Sequence, residues 1–113
     1  MYQILATKMV VGTAGEVTQA VGMSGSNAVT VEVTVYSGTL AIPTLQGSND
    51  LENWVDIANL SNDTMPTGAY YLPKSATGFE NAVQDVATQY VRVKFASSTG
   101  NVVLAAGINT ASL

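Results

Sequence analysis

Alternation of apolar and polar positions is the strongest pattern in this chain. From Ala28 to Tyr36 every second residue is valine, with threonine, glutamate and tyrosine between. The segment from Tyr90 to Phe95 repeats the alternation, with Val91, Val93 and Phe95 on one side. A period of two puts these apolar residues on one face of a strand, whereas a helix would scatter them around its circumference. Both segments therefore predict half-buried β-strands.

Other strands are predicted by runs of β-branched and aromatic residues that end at turn residues. They are Tyr2–Val11, Glu16–Val21, Thr39–Gln46, Trp54–Leu60 and Val102–Ile108. Pro43 lies inside one of these runs and cannot donate a hydrogen bond to a neighbouring strand. It therefore predicts an edge, a bulge or a break at that position.

The connections between the predicted strands are short. Ser37-Gly38 predicts a two-residue hairpin turn, and the polar clusters at residues 47–50 and 97–101 predict tight turns. Phe79, Val83 and Val86 have spacings of four and three, which favour a helical turn over residues 81–87, with a short strand as the alternative.

Seven or eight strands at intervals of about ten residues are typical of an antiparallel sandwich. We therefore predict one all-β domain over residues 1–113, an antiparallel β-sandwich of jelly-roll type with at most one short helix. The chain length of 113 residues suits one hydrophobic core.

Charged residues make up only 11% of the chain, and the net charge is −4. The surface must therefore consist largely of neutral polar residues, which suits burial between subunits and equally suits a small soluble threonine-rich protein. The four basic residues form no cluster, so we expect no nucleic-acid partner. No apolar run approaches the ~20 residues of a membrane span, and the first residues do not form a signal peptide, so we expect a complete cytosolic product without a membrane partner.

The sequence has no histidine and no cysteine, which removes the usual general base and the usual nucleophile pairs. We therefore predict no enzymatic activity and no catalytic, cofactor-binding or metal-binding residues. The clustered acids Asp50, Glu52 and Asp56 favour turn chemistry, because such side chains bond to nearby backbone. A weak calcium or glycan site at these acids stays open.

Candidate interface residues lie in a long loop and at the N-terminus. The loop spans residues 61–74 between turn residues and prolines, and long loops in small domains often carry function. The predicted interface residues are Tyr70, Tyr71, Leu72, Met65, Tyr2 and Ile4. Trp54, the single tryptophan, favours a position that closes the core, and an exposed platform for a sugar is the alternative.

Two segments carry a resemblance to a known group of proteins. The run Leu45-Gln46-Gly47-Ser48-Asn49-Asp50 followed by Asn53-Trp54-Val55-Asp56-Ile57 resembles a hairpin of small β-sandwich proteins of tailed bacteriophages, including capsid decoration proteins. The later run Tyr90-Val91-Arg92-Val93-Lys94 is similar to the strand that often follows this hairpin. Together these segments cover about a quarter of the chain.

The resemblance implies a non-enzymatic virion protein, made in the host cytoplasm, that decorates or cements a capsid. Its partners would be other copies of itself, as a homo-oligomer such as a trimer, and the major capsid protein or another virion protein. Two alternatives remain: a subunit associated with a phage tail or fibre, and a discoidin-like carbohydrate-binding module. The chain departs from discoidin-like modules because it has no cysteine and is shorter than they are.

Overall fold

The two segments with the clearest alternation form inner strands of two facing sheets. β4 (Ala28–Leu40) lies within a four-stranded sheet, and β8 (Tyr90–Phe95) lies within the opposite sheet. The computed structural model describes all atoms of residues 1–60 and 86–112 and the backbone of residues 78–83. The prediction that both segments form half-buried β-strands is confirmed.

Nine strands and no helix are present in the described residues. The remaining strands are β1 (Tyr2–Val11), β2 (Glu16–Val17), β3 (Val21–Gly22), β5 (Thr44–Ser48), β6 (Val55–Asn59), β7 (Gly78–Val83) and β9 (Ser97–Ala111). All strand pairs are antiparallel. The prediction of an all-β antiparallel sandwich is confirmed.

The strand order is that of a jelly roll. One sheet has the order β1-β9-β4-β7, and the other has the order β2-β8-β5-β6, with β3 also paired to β8. Because β2 and β3 both pair with β8, they act as two pieces of one edge strand, and each sheet has four strand positions. Consecutive strands β4 and β5, and β8 and β9, therefore lie in opposite sheets, as in a double Greek key.

The core lies between the two sheets. The four-stranded sheet contributes the alternate valines of β4 and the apolar face of β9, and the other sheet contributes Leu45 and the apolar face of β8. Phe95 is the largest of the fully buried side chains. Each such burial contributes roughly 1.5–3 kcal/mol. The two segments with predicted alternation supply Val29, Val31, Val33, Val91, Val93 and Phe95 to this core.

The hairpin predicted at Ser37-Gly38 is wrong. β4 continues through Gly38 to Leu40, and Thr39 pairs with Thr99 of β9. The register shifts beside Ser37, so Gly38, with a φ of 85°, belongs to an irregularity within the strand. The chain crosses to the other sheet over residues 41–43, which confirms the break predicted from Pro43.

Two other local predictions change in the structure. The turn predicted at residues 97–101 is part of β9, in which Ser97 and Thr99 pair with Leu40 and Thr39 at the extended end of β4. Residues 78–83, which overlap the predicted helical turn, form a strand that pairs with β4, so the short-strand alternative holds there.

Candidate functional site

Exposed tyrosine and aliphatic side chains gather on the outer face of the four-stranded sheet. Tyr2 and Ile4 of β1 are 55% and 60% exposed, and Tyr36 of β4 is 57% exposed. Small residues of β9, Ala105 and Gly107, lie between them. These residues line a shallow groove of about 290 Å³, which we call the tyrosine groove.

Gly107 shapes the floor of the tyrosine groove. A Cβ atom at this position would lie 2.9 Å from Cε2 of Tyr2 and closer still to the end of the ring. Such a distance is too short for two carbon atoms, so only glycine lets the Tyr2 ring lie directly on the backbone of β9. The absence of a side chain at Gly107 therefore leaves room for the end of the Tyr2 ring against the sheet surface.

Charges of both signs adjoin the tyrosine groove. Nζ of Lys8 lies 5.8 Å from the centroid of the Tyr36 ring, within the range of a cation–π contact. Glu32, which pairs with Gly107 across β4 and β9, lines the groove itself. The surface therefore combines an apolar centre with one base and one acid, a composition that suits contact with another protein surface.

The strand beside the groove is an edge of its sheet. Among the described residues β1 pairs with β9 alone. Met1 and Thr110 exchange two backbone hydrogen bonds, and hydrogen-bonded pairs alternate with non-hydrogen-bonded pairs in an antiparallel ladder. Tyr2 and Ile4 therefore occupy non-hydrogen-bonded positions, where the N–H and C=O groups point towards the open edge.

The N-terminal part of the predicted interface is thus exposed, and Tyr36 joins it. The sequence placed Tyr36 on the polar side of β4, but nothing in its neighbourhood indicated that β1 would lie two strands away. The other predicted interface residues, namely Tyr70, Tyr71, Leu72 and Met65, lie outside the described residues.

The acidic cluster of the β5–β6 turn serves the turn itself. Oδ1 of Asp50 accepts hydrogen bonds from the backbone N–H groups of Asn53, at 2.8 Å, and Glu52, at 2.9 Å. The Asn53 amide and the Ser48 hydroxyl also donate to the Asp50 carboxylate. These bonds, led by the backbone N–H of Asn53, hold the pKa of Asp50 far below its ordinary value. The turn interpretation of Asp50 is therefore confirmed.

The three acids do not converge on one point. Asp56 lies on β6, beyond the turn, and its Oδ1 accepts a 2.9 Å hydrogen bond from the side-chain amide of Gln46 on β5. Within the described parts of the chain, no three side chains of His, Cys, Asp or Glu lie close enough to hold a metal ion.

The position of Trp54 differs from the favoured prediction. It is half-buried outside the core, and its indole N–H donates to the carbonyl of Leu51 at 3.2 Å. The Arg92 guanidinium carbon lies 4.1 Å from the ring centroid, a close cation–π contact. The prediction that Trp54 closes the core is wrong, because the ring stacks on a side chain of the outer sheet face.

Arg92 links this stack to a row of polar side chains. Nε of Arg92 donates to Oε1 of Gln46 at 2.8 Å, and Gln46 in turn donates to Asp56. The three residues lie side by side on β8, β5 and β6, because Gln46 pairs with both of the others. We call Trp54, Arg92, Gln46 and Asp56 together the Trp54 row.

Comparison with known proteins identifies no relative: no family model matches the chain, and no curated protein is similar to it. None of the described residues forms a helix that is long and apolar enough to cross a membrane. The resemblance to phage sandwich proteins therefore depends on the hairpin and the strand quoted above.

Proposed function

We propose that this chain is a non-enzymatic structural protein of a tailed-phage particle, a homo-oligomer that binds other copies of itself and decorates or cements the capsid surface. The observation that carries the proposal is the tyrosine groove beside the open edge of β1. It supplies apolar area beside backbone N–H and C=O groups that point away from β9 and have no strand partner among the described residues.

Assembly would use two kinds of contact. Burial of Tyr2, Ile4 and Tyr36 supplies hydrophobic and aromatic area, and tyrosine is enriched at protein interfaces. The edge positions of β1 can add a strand from a partner by backbone hydrogen bonding. A stable interface buries about 800 Å² on each partner, so groove and edge would act together.

The N-terminal segment suits only a short added strand. β1 shifts register between Ile4 and Ala6 and again between Ala6 and Met9. Such bulges interrupt the regular spacing of edge groups and limit uncontrolled pairing. The regular part at Tyr2–Ile4 therefore favours a defined contact over open-ended aggregation.

The oligomeric state tests the first part of the proposal. Size-exclusion chromatography with light scattering at micromolar concentration should show an oligomer for the wild type and a monomer for the double variant Tyr2→Asp/Ile4→Asp. The matched control is Ile42→Asp, because Ile42 is 56% exposed but lies outside the groove. A monomeric wild type, or an oligomer that survives the double substitution, would contradict the proposal.

Binding to particles tests the second part. The wild-type protein should co-sediment with tailed-phage capsids that lack it, and Ile42→Asp should behave as the wild type does. If the wild type forms oligomers but never sediments with capsids, self-association is supported and the decoration role is contradicted.

A further inference from the structure

We propose that the Trp54 row is a binding site for a neutral saccharide. The row lies on the outer face of the β5–β6–β8 sheet, whereas the tyrosine groove lies on the opposite sheet. The inference therefore concerns a second surface and does not depend on self-assembly.

The row places an aromatic ring beside hydrogen-bonding groups of both kinds. The guanidinium of Arg92 stacks on Trp54 at 4.1 Å, and Gln46 connects it to Asp56. Both members of the stack are only partly buried, so part of this surface meets solvent. The Arg92 guanidinium covers part of the Trp54 ring, so the apolar C–H face of a sugar would pack on the part of the ring that meets solvent. The hydroxyl groups of the sugar both donate and accept hydrogen bonds.

The internal bonds of the row leave specific atoms for a ligand. Arg92 uses Nε towards Gln46, and Asp56 uses Oδ1 towards the same side chain. Within residues 1–60 and 86–112, the two terminal nitrogens of Arg92 and Oδ2 of Asp56 have no hydrogen-bond partner. The site thus offers N–H donors of Arg92 and a carboxylate acceptor of Asp56, and the Gln46 amide between them holds the two side chains in place.

The mixture of charges selects a neutral ligand over an anion. A phosphate or carboxylate would gain from Arg92 but would meet Asp56 on the same row, in a chain whose net charge is −4. A pair of neighbouring hydroxyl groups can accept from Arg92 and donate to Asp56 at the same time. The row therefore matches the hydrogen-bonding capacity of a neutral sugar.

Hydrogen bonds within the protein hold the site in place before any ligand arrives. The indole N–H of Trp54 is held by the Leu51 carbonyl, and Asp50 fixes the turn that carries both residues. Binding therefore orders few additional side chains, which lowers its entropic cost. The affinity of a small surface site depends on such preorganisation, because burial of apolar area contributes little to its binding free energy.

A glycan array followed by titration of intrinsic fluorescence tests the proposal, because Trp54 is the only tryptophan in the chain. The array carries neutral and acidic oligosaccharides, and the best neutral binder is titrated into the wild type. We expect saturable binding that weakens at least tenfold in Arg92→Lys, which keeps the charge but loses the planar fork. Trp54→Ala should abolish binding on the array and keep the circular dichroism spectrum.

Lys94→Ala is the matched control, because Lys94 is exposed and lies on the same strand as Arg92, two residues further along. It should bind as the wild type does.

Should Trp54→Ala unfold, Arg92→Lys and Asp56→Asn still decide the question. The proposal is overturned if no neutral glycan binds at millimolar concentration, if acidic glycans alone bind, or if both of these variants bind as tightly as the wild type. In those cases the row would serve only to stiffen the sheet.

Discussion

Gly38 shows how one residue decides the course of a strand. Its φ of 85° lies in the left-handed region, and its backbone passes close to Asn101 and Val102 of β9. A Cβ atom there would lie 2.9 Å from Cα of Val102 and nearer still to the carbonyl oxygen of Asn101. Glycine therefore permits both the local irregularity and the continued pairing of β4 with β9.

We predict that Gly38→Ala destabilises the fold by about 2–5 kcal/mol. A side chain in the left-handed region costs ~1–2 kcal/mol, and overpacking against rigid backbone adds about 1–3 kcal/mol. Urea denaturation followed by circular dichroism measures the loss. Gly25→Ala is the control, because Gly25 has a φ of 82° with no atom within 4 Å of the added Cβ. Equal losses in the two variants would contradict the role assigned to the β9 contact.

At the scale of elements, the β5–β6 turn depends on a charged carboxylate. Asp50 accepts backbone hydrogen bonds from two residues of its own turn, and these bonds lower its pKa in the folded state. A depressed folded pKa adds stability above the unfolded value near 3.8, and this stability is lost as the pH falls through the folded value. The turn should therefore weaken only in acid.

We predict that Asp50→Ala has a lower Tm than the wild type from neutral pH down to about pH 5. The difference should shrink below pH ~4, because the carboxylate is then protonated in the unfolded chain while the folded turn still holds it ionised. It should vanish once the folded form also takes up the proton. Thermal unfolding at a series of pH values measures it. Glu52→Ala is the control, because the Glu52 side chain accepts no hydrogen bond from the described residues. A difference in Tm that stays constant down to pH 2 would show that the charge of Asp50 is not involved.

Strand existence could be predicted from the sequence because alternation is local. The valines of β4 and the apolar residues of β8 lie on the buried faces that their spacing predicts. Strand partners are not local, so Ser37-Gly38 indicated a hairpin although β4 and β5 lie in different sheets. A turn residue looks the same in sequence whether it ends a strand or bends it.

The candidate sites depended even more on distant partners. Trp54 lies outside the core, where its ring stacks on the guanidinium of Arg92, a residue far along the chain. The tyrosine groove exists because β1 and β4 lie on either side of β9. Tyr2 and Ile4 could be named as interface candidates from their place near the N-terminus. Tyr36 could be added to the groove only once the order of strands in the sheet was known.

At the scale of the whole molecule, the fold closes through contacts between residues far apart in sequence. Tyr2 pairs with Asn109, whereas Gly47 pairs with the nearby Val55 in the β5–β6 hairpin. Joining distant segments costs more loop entropy than closing a short turn. The hairpin should therefore form before β1 docks on β9.

This order predicts different kinetic effects for two buried residues. Val11 of β1 and Leu45 of β5 are both fully buried. Val11→Ala should lower stability by roughly 2 kcal/mol, mainly through faster unfolding, because its contacts form after the transition state. Leu45→Ala should cost about 2–5 kcal/mol and slow refolding, because its contacts form earlier. Stopped-flow fluorescence of Trp54 in urea measures both rates. The slowing of refolding is compared per kcal/mol of stability lost in each variant. If Val11→Ala slows refolding as much as Leu45→Ala on this scale, β1 belongs to the folding nucleus and late closure is contradicted.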